Sequence, residues 1–164
     1  MDETRRKLVS ERGQTLLEFA FVAPLILMFL LAIVDFGIAI DRRVVLDHAV
    51  REGGRFAAVG GQAFTTGVVA TEEDIRTYTA SQSQGIADAG GVSGSDNYIE
   101  VCYEDANGNG TLGDVGDSVR VRAHYVHDFV TGFTGFLNMS LAGITMEPSA
   151  SARLERAAIG GTSC

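Results

Sequence analysis

The side-chain oxygens of "DANGNGTLGDVGD", residues 105–117, form the densest set of potential hard-cation ligands in this sequence. Asp105, Asn107 and Asn109, followed by Gly110, match D-x-[DN]-x-[DN]-G, a spacing that aims three oxygens at one ion while glycine makes the turn. The twelfth position is Gly116 rather than a bidentate glutamate, so a calcium shell would have to draw on Thr111 and on Asp114 or Asp117. Asn-Gly-Asn-Gly is also a good hairpin turn, and that is the preferred reading. His124 and His127 form an HxxH pair, but residues i and i+3 on a strand point to opposite faces, which argues against a shared metal. Cys102 and Cys164 lie far apart and in no zinc spacing; outside the cytoplasm they could pair as a disulfide, and otherwise they stay two thiols. No nucleophile elbow, phosphate loop or paired-carboxylate motif is visible, so catalysis is the least economical reading and no cofactor beyond calcium is expected. The remaining chemical oddity is Glu18, a lone carboxylate at the mouth of a long apolar run.

That run, Phe19 to Ile40, is 22 residues interrupted only by Asp35. At a rise of ~1.5 Å per residue it reaches roughly 33 Å as a helix, enough for a hydrocarbon core of about 30 Å. It shows no polar face before Asp35, which separates it from an ordinary core helix. Pro24 is placed in the first turns, where its missing N–H matters less, and Asp35 near the far end, within reach of headgroups or water. Residues 1–13 carry four basic groups against three acidic ones, and a basic leader keeps that end in the cytoplasm. Residues 42–164 carry nine arginines against fifteen Asp and Glu, an acidic balance that argues against nucleic acid as a partner. A cleavable secretory signal ending at Ala39, with a small enzyme released, is a rival reading, but the run exceeds a signal's apolar region.

Gly13-Gln14-Thr15-Leu16-Leu17-Glu18 resembles the processing site of type IV prepilins, in which a membrane peptidase cuts after glycine and glutamate is the fifth residue of the mature chain. Gln14 stands where that family commonly has an aromatic residue. More widely, "RGQTLLEFAFVAPLILMFLLAIVDFGIAI" followed by "DRRVVLDHAVREGGRFAAV" is similar to the N-terminal region of TadE-like proteins, minor pseudopilins of Tad (tight adherence) pilus systems. The matching positions are Glu18, Pro24, Asp35, Ala49, Gly53, Gly54, Arg55 and Ala57-Ala58. The resemblance implies cleavage after Gly13, a new amine on Gln14, and a Glu18 that pairs with an adjacent subunit. It implies as partners the lipid bilayer, a prepilin peptidase, other pilins or pseudopilins and the assembly machinery, at the inner membrane in a single pass. The alternative is an uncleaved, membrane-anchored extracytoplasmic binding module that holds its partner through a calcium-bearing 105–117 loop or through the aromatic segment 129–141.

After Asp41 the helix is expected to turn amphipathic. Val45, Leu46, Ala49, Val50, Gly53, Phe56 and Ala57 fall on one arc, Asp47, His48, Arg51, Glu52 and Arg55 on the other, and Val44 is a misfit. Thr71 reads as the N-cap of a second helix with Glu72, Glu73 and Asp74 in its first turn, stopped by Gly90-Gly91. "YIEVCYE" and "SVRVRAHYVH" alternate as strands that would place acids and bases on one outer face. A third strand, Ile144 to Leu154, contains Pro148 and so belongs at an edge or a bulge. The aromatics of "FVTGFTGFLNMSL" belong either to the core or against the membrane surface, and they are assigned to the core. The expected architecture is α+β and pilin-like. It comprises a basic leader (1–13), a transmembrane helix (14–40), an amphipathic continuation (41–58) and an extracytoplasmic domain (59–164) with a small antiparallel sheet.

Overall fold

A computed structural model describes residues 3–61, 69–88, 97–131, 143–159 and 161–164. Its elements are α1 (Glu3–Ala58), α2 (Glu72–Gln82), β1 (Asn97–Glu104), β2 (Ser118–His127), β3 (Ile144–Met146) and β4 (Ser149–Arg153). They fall into two compact units, one of Met1–Ile38 with Phe129–Leu141 and one of Ala39–Asp128 with Ala142–Cys164. The α+β expectation holds: the second unit packs the C-terminal part of α1 on a small antiparallel sheet.

α1 differs from expectation at its start. Helix-forming Glu, Arg, Lys and Leu residues carry it back to Glu3, so Pro24 lies inside the helix rather than in its first turns. There it removes one intrahelical N–H. Further along, the amphipathic arc buries Leu46, Ala49, Val50 and Ala57, while the misfit Val44 stays 61% exposed. Gly60 and Gly61 end the helix in left-handed turns, φ 79° and 64°, with the Gly61 N–H donating to the Phe56 carbonyl at 2.7 Å.

Thr71 caps α2 reciprocally: its N–H donates to Asp74 Oδ2 at 2.9 Å and the Asp74 N–H to Thr71 Oγ1 at 3.2 Å. The Thr71 N–H, then its hydroxyl, hold the Asp74 carboxyl below the usual carboxylate range. The capping contribution is therefore present above that range and fades as pH falls through it. Only Ile75 and Thr79 of α2 are buried, a narrow inner face. The helix stops at Gln82, well short of Gly90-Gly91, which lie outside the described residues. Ser83 ends it, its Oγ donating to the Ala80 carbonyl at 2.7 Å and accepting the Ala87 N–H at 3.1 Å. Phe56 and Tyr78 stack with centroids 4.2 Å apart, which ties α2 to α1.

β1 and β2 pair antiparallel with Ile99↔Ala123, Val101↔Val121 and Tyr103↔Val119 facing the helices. Glu100↔Arg122 shares the other face, with ion pairs Arg122–Glu100 at 3.6 Å and Arg120–Glu104 at 2.5 Å. Such partly exposed pairs stabilise by less than about 1 kcal/mol each. The third strand proves to be two: β3 and β4 both pair with β2 and are separated by Glu147 and Pro148, since proline has no N–H for the ladder. The Pro148 carbonyl still accepts the Ala123 N–H at 3.0 Å. Beyond β1, Ser163 forms a parallel bridge with Tyr103.

Candidate functional site

In the unit holding the N-terminal part of α1, the apolar side chains point outward: Leu16 is 69%, Phe19 67% and Phe21 76% exposed. From Gln14, α1 is long and apolar enough to cross a membrane. Gly13 and Gln14 lie within this helix and Glu18 on it, exposed and, among the described residues, without a hydrogen bond or ion pair. An unpaired charge in low dielectric is costly, whereas a carboxylate in the headgroup layer is not.

Asp35, the second acid of the run, differs from the expected interfacial acid in reach of headgroups or water. It is wholly buried, and the segment after β2 folds onto it. Oδ1 accepts the Val130 N–H at 2.9 Å and the Thr131 N–H at 3.1 Å, and Oδ2 accepts the Thr131 hydroxyl. Phe36 meets Phe129 edge-on, centroids 6.4 Å apart. These partners are ninety-odd positions away in the chain, so only Asp35 itself, an acid inside an apolar run, signalled the site. Phe133 and Phe136, assigned to the core from the sequence, lie outside the described residues.

The 105–117 loop brings its six oxygen-bearing residues into one hydrogen-bonded turn. Asp105 accepts the N–H groups of Gly108 (2.6 Å), Asn109 (3.2 Å) and Gly110 (2.8 Å). Asn107 accepts the Asn109 N–H and Asn109 the Thr111 N–H, while Asp114 Oδ2 accepts Asn109 Nδ2 and the Thr111 hydroxyl. Those last two bonds, the hydroxyl first, hold the Asp114 carboxyl below its usual range. Buried Asp117 accepts the N–H groups of Asn107 and Asp114. Among the described residues, no three His, Cys, Asp or Glu side chains are grouped so as to hold one metal ion. His124 stacks on Tyr98 and lies 3.0 Å from Glu147, whereas His127 is buried on the opposite face of β2.

Cys102 and Cys164 are joined in a disulfide, Cα atoms 4.9 Å apart, which fastens the chain's last residues beside β1. The Tyr103 N–H donates to the Thr162 carbonyl at 2.8 Å and the Cys164 N–H to the Tyr103 carbonyl at 3.1 Å.

Residues 13–55 match the family model described as TadE-like protein. The match opens at Gly13 and covers Glu18, Pro24, Asp35 and the glycine pair 53–54, the stretch that carries the resemblance read from the sequence. No curated protein and no solved structure matches the chain.

Proposed function

We propose that this chain is a non-enzymatic minor pseudopilin of a Tad-type pilus, anchored in the inner membrane by α1 with its body outside the cytoplasm and processed after Gly13. The observation that carries the reading is the TadE-like segment, whose helix presents an outward apolar surface and a Glu18 without a partner among the described residues. Cleavage would leave a positive amine on Gln14, and that amine is the missing counter-charge for Glu18 of an adjacent subunit. Pairing the two sets the register between packed helices.

Sequencing the N-terminus of the membrane-extracted protein, from cells with an active prepilin peptidase, is expected to begin at Gln14. A chain beginning at Met1 overturns the processing step, and one beginning at Ile40 signals secretion instead. Glu18→Ala is expected to leave cleavage largely intact yet reduce recovery in sheared filaments by about tenfold or more, since stranding one partner of a desolvated pair costs more than the ~1.4 kcal/mol of a tenfold change. Undiminished assembly would remove the pairing mechanism.

The second reading, an uncleaved anchor for a calcium-dependent binding module, draws on the convergence of six oxygen-bearing residues in one turn. The readings separate on Asp105→Ala, which takes acceptors from three N–H groups. In the pseudopilin reading the turn is held by its own bonds. The variant then melts about 5 °C lower, for a loss of ~1–2 kcal/mol, equally in calcium and in chelator. In the calcium reading, millimolar calcium raises the melting temperature of the parent but not of the variant.

A further inference from the structure

Asp35 lies five residues before Ile40, the end of the apolar run, so about 7 to 8 Å inside it along the helix axis. Backbone at that depth in a bilayer must have its N–H groups satisfied, because no water is there to take them. The Val130 and Thr131 N–H groups are satisfied by the Asp35 carboxylate, as is the Thr131 hydroxyl. The same contacts answer the acid's own desolvation, which an apolar span otherwise leaves uncompensated. Among the described residues of this unit, the apolar side chains beside the polar knot are turned outward: Val130 is 68%, Phe36 50% and Ile33 65% exposed. Acyl chains fit the surface.

We propose that residues 129–131 form a second membrane contact, tethered by Asp35 and seated among lipid chains in the leaflet at the C-terminal end of the span. Asp35 acts as a positioning residue that lets irregular backbone enter lipid, and Val130 and Phe36 are the lipid-facing side chains. The inference rests on the reading of α1 as a membrane span.

The test uses the full-length chain in phosphatidylcholine–phosphatidylglycerol vesicles, with single cysteines at Val130→Cys, Ile33→Cys and Val115→Cys labelled by a polarity-sensitive fluorophore. The native cysteines are engaged with each other and stay unlabelled without reductant. Position 33 reports the span and position 115, on the 105–117 loop and 60% exposed, reports water. Position 130 is expected to behave like 33. It should be quenched by spin-labelled lipid, emit to the blue of 115, and be quenched several-fold less by iodide equilibrated on both faces. In Asp35→Ala, position 130 should lose its lipid quenching while 33 keeps it. Iodide access at 130 equal to that at 115, with 33 still in lipid, overturns the proposal and leaves the span standing. Lipid quenching at 130 that survives Asp35→Ala overturns the tether, and absence of lipid quenching at 33 overturns both span and proposal.

Discussion

Replacing Cys164 by serine is expected to lower the stability of the folded body by about 4 kcal/mol, the chain-entropy contribution of a cross-link over this separation. The disulfide joins residues 62 positions apart, so it removes a large set of open conformations from the unfolded chain. The loss is also local. Without the bond, the tail is held by backbone pairing at Tyr103 and by the Thr162 N–H on Glu72 Oε1 at 2.7 Å. Hydrogen bonds of ~1 kcal/mol each do not offset ~1–2 kcal/mol of backbone entropy per ordered residue, and the tail frays. That uncovers Tyr103, whose ring lies so close to Gly161 that a Cβ there would sit 2.9 Å from it. Burial first, and Glu72 second, push the Tyr103 phenol up to about 12. A raised phenol value means a stability contribution present in full below the ordinary value of 10.0 and lost as pH rises toward about 12. Urea denaturation of the detergent-solubilised full chain should show the lower midpoint, and spectroscopic titration should show the phenol of the variant returning toward its ordinary value. An unchanged midpoint in Cys164→Ser would mean that the tail is not tied into the fold.

What could be read from the sequence divides by the range of the interaction. The two regimes of α1 were legible because periodicity is local: a run without a polar face, then an arc that buries Leu46 and Val50 and leaves Val44 outside. The Thr71 cap was legible for the same reason, since its partner is three residues away. The inner and outer faces of β1 and β2 followed from alternation. The end of α2 did not, because Ser83 turns its hydroxyl on the backbone before any glycine is reached. Pro148 announced an edge, but whether it would bulge one strand or divide two depended on how β2 was paired. Asp35 reads from the sequence as an interfacial acid within reach of headgroups or water, because its donors lie far along the chain, at Val130 and Thr131. The two sulfurs meet only because the tail runs alongside Tyr103, a pairing with no pattern of its own. Glu18 is the reverse case: the role proposed for it rests on its spacing from Gly13, and its proposed partner belongs to another subunit.

The second large effect is expected at Gly53, and it opposes helix propensity. Alanine in place of a mid-helix glycine ordinarily stabilises by about 0.5–1 kcal/mol. At Gly53 a Cβ would sit 2.0 Å from Thr79 Oγ1, far inside contact distance. Thr79 is fully buried and β-branched, and its hydroxyl donates to the Ile75 carbonyl at 2.7 Å. To admit the methyl group, either Thr79 turns and gives up a buried hydrogen bond of ~1 kcal/mol, or α2 moves away from α1. The second course strains the Phe56–Tyr78 stack. Overpacking of this kind costs ~1–3 kcal/mol, so Gly53→Ala should destabilise the detergent-solubilised chain by about 2 kcal/mol after the propensity gain. The adjacent glycine supplies the contrast. A Cβ at Gly54 would lie 3.8 Å from the Ala152 Cβ and 3.9 Å from that of Ala150, ordinary contact, so Gly54→Ala should be neutral or stabilising by up to ~1 kcal/mol. Removing the obstructing hydroxyl should also rescue: Gly53→Ala combined with Thr79→Ala is expected to be less destabilised than the sum of the single changes. Additive double-mutant midpoints, or the same sign at both glycines, would show that Thr79 does not obstruct a side chain at position 53.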